Sequence, residues 1–193
     1  MREQFIAEKT FNKKDYSDYG LQKGEYELCT FLNCNFSNSD LATIRFIDCE
    51  FYDCNLSSAN ILQTGFQNVL FKECKMLGLH FEKCSDFAFQ ISVDTCQLNH
   101  SSFYKKKLSK TTFRKSKLRE VDFSESDLSS SDFDDCDLLN TIFNNTNLQN
   151  ADFRNSSNFT IDPENNLIKG AKFTLESIVG LLEKYNIKIE PSS

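Results

Sequence analysis

The chain has 193 residues, room for one ordinary domain. Nineteen phenylalanines stand against six glycines, two prolines and no tryptophan, and the formal net charge of −6 argues against a general nucleic-acid binder, a class that is usually basic. No stretch approaches the roughly 20 apolar residues of a membrane-spanning helix, and the opening MREQFIAEKTF lacks the basic patch and apolar run of a secretory signal, so a soluble cytoplasmic protein without a membrane partner is expected.

From the start, large residues recur every five positions, first loosely at Ile6, Phe11, Tyr16, Leu21 and Tyr26. The looseness predicts an irregular N-terminal cap over residues 1–20. From Phe31 the series is unbroken: Phe36, Leu41, Phe46, Phe51, Leu56, Ile61, Phe66, Phe71, Met76 and Phe81. A helix repeats near 3.6 residues and a strand near 2, so neither keeps a five-residue stripe on one face. Two places before each of these centres stands a second, mostly small or β-branched residue, as in Cys29, Cys34 and Cys49. One large and one small inward position per five residues describe a tightly wound tube with a narrow, filled interior. A repeat this short means a solenoid whose units bury their faces only against their neighbours.

The rhythm slips by two residues within FEKCSDFAFQ, 81–90, where a bulge or kink is expected. Ala88 and Val93 already fit the new register, while Phe87 and Phe89 have no assigned place. The second series then runs through Leu98, Phe103, Leu108, Phe113, Leu118, Phe123, Leu128, Phe133, Leu138, Phe143, Leu148 and Phe153. Lys106 alone breaks the small position in this series. Residues 105–119 hold basic side chains and no acid, and 120–137 hold acids and no base. If one coil takes 20 residues, Lys105 meets Glu125, Lys107 meets Asp127, Arg114 meets Asp134, Lys115 meets Asp135 and Lys117 meets Asp137. Coils stacked about 4.8 Å apart bring such pairs within ion-pair reach.

After Phe153 the repeat fades, and a boundary is expected near residue 157. TLESIVGLLEKY then reads as a short α-helix capped by Thr174, with Leu175, Ile178, Val179, Leu182 and Tyr185 as its apolar stripe. NIKIE follows with strand-like alternation through Ile187 and Ile189. The segment 158–193 either caps the rod or joins a second copy, and a two-fold homodimer is the preferred reading.

The eight cysteines all fall at the small inward position, which favours buried thiols over zinc or disulfides. His80 and His100 have no fixed catalytic partner in the sequence. No nucleophile constellation, metal motif or phosphate-binding loop appears, so neither an enzyme, a cofactor nor a metal is expected. Many carboxylates directly precede a centre, where they can bond backbone amides; Glu125, Asp134 and Asp135 lie off that position.

Small residue, Asp or Asn, then Leu or Phe, repeated from about 21 to 157, resembles the pentapeptide-repeat family. The resemblance implies an all-β solenoid, a right-handed quadrilateral β-helix with 20 residues per coil. CTFLNCNFSNSDLATIRFIDCEFYDC (29–54), the slip at 81–103 and the ending IDPENNLIKGAKF…GLLEKYNIKI resemble the Qnr-type and MfpA-type branch and a microcin immunity protein. That likeness implies a rod-shaped homodimer joined at Leu175, Ile178, Val179, Leu182, Tyr185, Ile187 and Ile189. It also implies a DNA mimic that binds DNA gyrase or topoisomerase IV, with quinolone or topoisomerase-poison resistance as a consequence. The carboxylates that would face the enzyme are Asp122, Glu125, Asp127, Asp132, Asp134 and Asp135. The alternative is a non-enzymatic interaction rod for an unrelated partner.

Overall fold

A computed structural model describes residues 4–190. Short strands stack coil upon coil with every pairing parallel. On one side β1 (Gln4–Ala7), β3 (Gly24–Glu27), β5 (Arg45–Ile47) and β7 (Gly65–Gln67) form one sheet. On the next, β2 (Thr10–Asn12), β4 (Thr30–Leu32), β6 (Glu50–Tyr52), β8 (Val69–Lys72), β9 (Ile91–Asp94), β10 (Thr112–Arg114) and β11 (Asp132–Asp134) form the other. The remaining two sides are held by single bridges, such as Asn35↔Asn55↔Lys75 and Ser102↔Asp122↔Ile142. The result is the four-sided parallel β-helix that the five-residue rhythm demands.

The centres fill the shaft. Phe11, Phe31, Phe51 and Phe71 stack at 4.9, 4.6 and 5.1 Å between ring centroids. Phe81, Phe103, Phe123 and Phe143 form a second column at 4.4, 5.2 and 5.6 Å. These spacings follow the rise between hydrogen-bonded strands, and neighbouring columns meet edge-on, the other geometry aromatic rings favour. The residue two after a centre turns most corners with positive φ, as in Asn33, Asn38, Asp48, Asn140 and Asn150. Asn and Asp tolerate that conformation best among residues with a side chain, which explains their density there. Gly170 takes it too, and a Cβ there would lie 2.4 Å from Asn150 Oδ1.

All eight cysteines are buried free thiols. Each Sγ–H points at backbone carbonyls: Cys54 at Phe31 and Tyr52, Cys136 at Phe113 and Asp134. Thr64 and Ser131 use their hydroxyls the same way. Burial pushes the thiols of Cys49, Cys84 and Cys136 up to about 12. They are packing groups with a weak donor, not nucleophiles.

Three expectations need correction. The first coil begins at Gln4: Ile6 pairs with Tyr26 and Phe11 with Phe31, so residues 4–12 are stacked strands, not an irregular cap. Stacking also continues past 157, through Asn147↔Leu167 and Asp152↔Lys172. The C-terminal segment is not an α-helix but two 3-10 turns, Ser177–Leu181 and Glu183–Tyr185, and 186–190 form no strand. Thr174 does cap the turn, its Oγ1 accepting the Ser177 N–H at 3.2 Å. Within the turn, Gly180 lends its carbonyl to Ile161 N–H at 3.0 Å and sits so close to Phe159 that a Cβ would clash with the carbonyl and ring.

The slip is a two-residue insertion. Phe71 pairs with Val93, 22 positions on, and Val93 with Phe113, 20 on. Val93 takes the expected centre; Ala88 does not, being exposed with a φ of 50°. Elsewhere on this side, the residue after a small position donates its N–H to the small-position carbonyl one coil below: Gly65 to Ile44, Ser85 to Thr64, Asp127 to Lys106 and Asn147 to Ser126. At the insertion that rung is lost, for Lys107 N–H does not bond Cys84 O. Lys106 Nζ takes its place, 2.9 Å from Cys84 O and 2.8 Å from Asp86 Oδ1, and 4.5 Å from the centre of the Phe89 ring. The one lysine in a small position thus replaces the missing hydrogen bond and covers the ring of Phe89, which packs against Phe66 and Phe81 where the regular centre is missing.

Candidate partner-binding surface

The inward positions are occupied by packed side chains, so chemistry is confined to the outer positions. The basic residues 105–119 and the acidic residues 120–137 occupy successive coils and encircle the rod as two adjacent belts. Two of the expected ion pairs form, Lys105–Glu125 at 3.4 Å and Arg114–Asp134 at 3.7 Å. Lys107 and Asp127, and Lys117 and Asp137, stack as bridges without an ion pair, and Lys115 and Asp135 form none. Arg119 takes Asp137 instead, at 2.5 Å. The histidines are not isolated: His80 Nδ1 meets Glu82 at 2.9 Å and His100 Nδ1 meets Glu120 at 3.2 Å.

The six predicted carboxylates therefore divide. Asp122 and Asp127 each accept a backbone N–H two residues on, from Ser124 at 2.8 Å and Ser129 at 3.0 Å, and Asp127 also accepts from Asn147. Glu125 and Asp134 are tied to bases, and Glu125 also accepts from the Tyr104 hydroxyl at 2.8 Å. Among the described residues, Asp122, Asp127, Asp132 and Asp135 have no Lys or Arg within ion-pair distance. Burial, and then the neighbouring Asp152 and Asp134, hold the Asp132 carboxyl above its usual range.

One coil higher the sign reverses. Asp152 accepts hydrogen bonds from Arg154 and a contact from Lys172, and these hold it down to about 2. A carboxyl depressed from 3.8 to about 2 contributes stability that is complete above pH 4 and is lost as the pH falls through 2. Thermal melts of Asp152→Asn are therefore expected to fall less steeply than wild type between pH 4 and 2; parallel curves would remove this pair from the acid response.

The C-terminal cap sets a different surface. Leu181 turns inward and is buried, whereas the predicted stripe faces out except at the half-buried Leu182: Leu175 is 83% exposed, and Ile178, Val179, Tyr185, Ile187 and Ile189 are all exposed. A latch that sequence reading missed ties the cap to the rod. Lys184 Nζ meets Asp162 Oδ1 at 2.5 Å and Glu164 Oε2 at 2.8 Å, and the Tyr185 hydroxyl donates to Glu164. An open groove of about 940 Å³ runs between cap and rod, lined in part by Leu139, Phe159, Val179, Leu182 and Ile187. No group of three or more metal-ligating side chains is assembled among the described residues, and no described helix is long and apolar enough to cross a membrane.

Side-chain-filled coils, asparagine-rich left-handed corners and charges that, Lys106 apart, lie outside the shaft define a quadrilateral β-solenoid of the repeat-protein class. The model of the pentapeptide repeat region matches residues 25–90 and 89–162, so the chain belongs to the pentapeptide-repeat family. Its fold is similar to two trypsin-treated forms of QnrB1, a plasmid-mediated fluoroquinolone resistance protein. The first has a TM-score of 0.65 at 21% identity, over 97% of this chain and 92% of that one. The second has 0.63 at 18% identity, over 97% and 100%. HetL, a pentapeptide repeat protein involved in heterocyst differentiation regulation from the cyanobacterium Nostoc, aligns at 10% identity with a TM-score of 0.49, over 86% of this chain and 84% of that one. No curated protein sequence matches this chain.

Proposed function

We propose that this protein is a non-enzymatic binding rod for a type II DNA topoisomerase, DNA gyrase or topoisomerase IV, and that it acts in the cytoplasm as a homodimer. The observation that carries the reading is the acidic coil, where, among the described residues, Asp122, Asp127, Asp132 and Asp135 have no Lys or Arg within ion-pair distance. A protein groove evolved for phosphates attracts carboxylates by the same electrostatics. The likeness to a fluoroquinolone resistance protein over nearly the whole of both chains supports that choice of partner. The exposed apolar face from Leu175 to Ile189 is of a kind that a second copy would cover about a two-fold axis. A second reading, a rod for an unrelated protein, is favoured by the basic belt, which interrupts any continuous acidic face.

The test is a gyrase supercoiling and binding assay, with and without a fluoroquinolone, on protein whose light-scattering mass is that of two chains. Exchanging Asp122, Asp127, Asp132 and Asp135 together for Asn keeps the acceptor oxygens that the turns at Asp122 and Asp127 use and removes charge. Binding is expected to weaken and to lose salt dependence. An absence of binding, inhibition and drug protection at micromolar protein would favour the unrelated partner.

A further inference from the structure

Phe87 has no structural task that the fold explains. Between Leu21 and Phe153, phenylalanines are buried or packed against the core except this one, which is 76% exposed. It stands at the tip of the insertion, and both ends of that insertion are fixed. Ser85 N–H bonds Thr64 O at 3.0 Å and Gln90 N–H bonds Phe66 O at 2.9 Å. Phe89 packs edge-on against Phe66 and Phe81, with centroids 6.4 Å apart in each case. Lys106, one coil above, holds Cys84 and Asp86. A large ring on a tethered bulge keeps little conformational freedom to lose on binding, the property that makes aromatic side chains effective anchors.

We propose that the insertion is a recognition knob: Phe87 enters an apolar pocket of a protein partner, Asp86 faces a basic side chain at the pocket's rim, and Lys106 is the positioning residue. The carboxylate selects the partner class. The Asp86 side chain is 85% exposed while Lys106, which pairs with it, is 2% exposed, so an approaching surface meets the negative group first. That arrangement repels the phosphates of lipids and nucleic acids and suits a protein surface carrying Lys or Arg. The inference rests on the reading of the chain as a gyrase-binding rod and assigns a contact separate from the acidic coil.

Purified gyrase is the probe, with Phe87→Ser, Phe87→Leu and wild type compared by affinity and by melting temperature. Phe87→Ser is expected to bind about 30-fold more weakly, the loss of one aromatic hot spot, at an unchanged melting temperature. Phe87→Leu should recover part of the affinity. Lys106→Met should weaken binding while the Phe87→Ser/Lys106→Met pair binds no worse than Phe87→Ser alone, which a merely structural lysine would not produce. Equal affinity of wild type and Phe87→Ser overturns the knob and leaves the gyrase reading intact. A melting temperature lowered by several degrees in Phe87→Ser overturns it too, by showing that the ring is packed. Failure of the wild type to bind gyrase removes both readings together.

Discussion

Phe123→Ala is expected to destabilise the protein by about 3–5 kcal/mol in urea denaturation, the usual cost of deleting a buried aromatic side chain. The ring is fully buried and sits at the crossing of two arrangements. It stacks on Phe103 at 5.2 Å and Phe143 at 5.6 Å, and it meets Phe113 and Phe133 edge-on at 5.7 and 6.1 Å. Removing it opens a void that the coils cannot collapse into, because the backbone here is bonded on both sides, Asp122 N–H to Ser101 O and Phe123 N–H to Ile142 O. Phe123→Leu should cost much less, since Leu41 and Ile61 fill the same side in lower coils. A solenoid's stability is close to a sum of nearest-neighbour terms. A reduced denaturant slope in the alanine variant would therefore report that the two halves of the rod have begun to unfold separately. A loss under about 1 kcal/mol would mean that the columns are not the main support of the fold.

Lys106 gives the second large effect, and its sign depends on which part of the side chain is removed. Lys106→Ala takes away a buried stem and the ammonium that replaces a missing rung. A cost of about 2–5 kcal/mol is expected, as for other large-to-small core changes. Lys106→Met keeps most of the volume, leaves the buried Cys84 O without its donor and returns the exposed Asp86 to water, which costs about 1–3 kcal/mol. Asp86→Ala should cost less than either, because water can replace a carboxylate that is already 85% exposed. Equilibrium unfolding of the three variants checks the order. If Lys106→Ala fell within about 0.5 kcal/mol of wild type, the side chain would be a tolerated surface lysine and not a plug for the insertion.

The centres, the small positions and the 20-residue coil were legible because each inward residue has the same environment in every coil. A period is visible only when the environment repeats. The N-terminal cap was misjudged because Ile6, Phe11 and Tyr16 were read as a weak pattern, whereas a strand needs only one good neighbour, and Tyr26, Phe31 and Phe36 supply it. The cap's helix was misjudged because apolar spacing cannot register that Gly180 must press against Phe159. Of the candidate site, the carboxylate positions were legible. Which of them are neutralised was not, since Arg119, with no acid 20 residues on, takes the Asp137 that the register pairs with Lys117.

The sequence by itself determined the solenoid, the inward thiols and the place of the slip, because all three follow from a five-residue period and its single interruption. Only the tertiary structure decided why Lys106 is buried, where Phe87 points and which carboxylates stay uncompensated. Those outcomes depend on contacts between residues about a coil apart, and on the one coil of 22 residues in place of 20 that puts Cys84, Asp86, Phe89 and Lys106 in a single cluster.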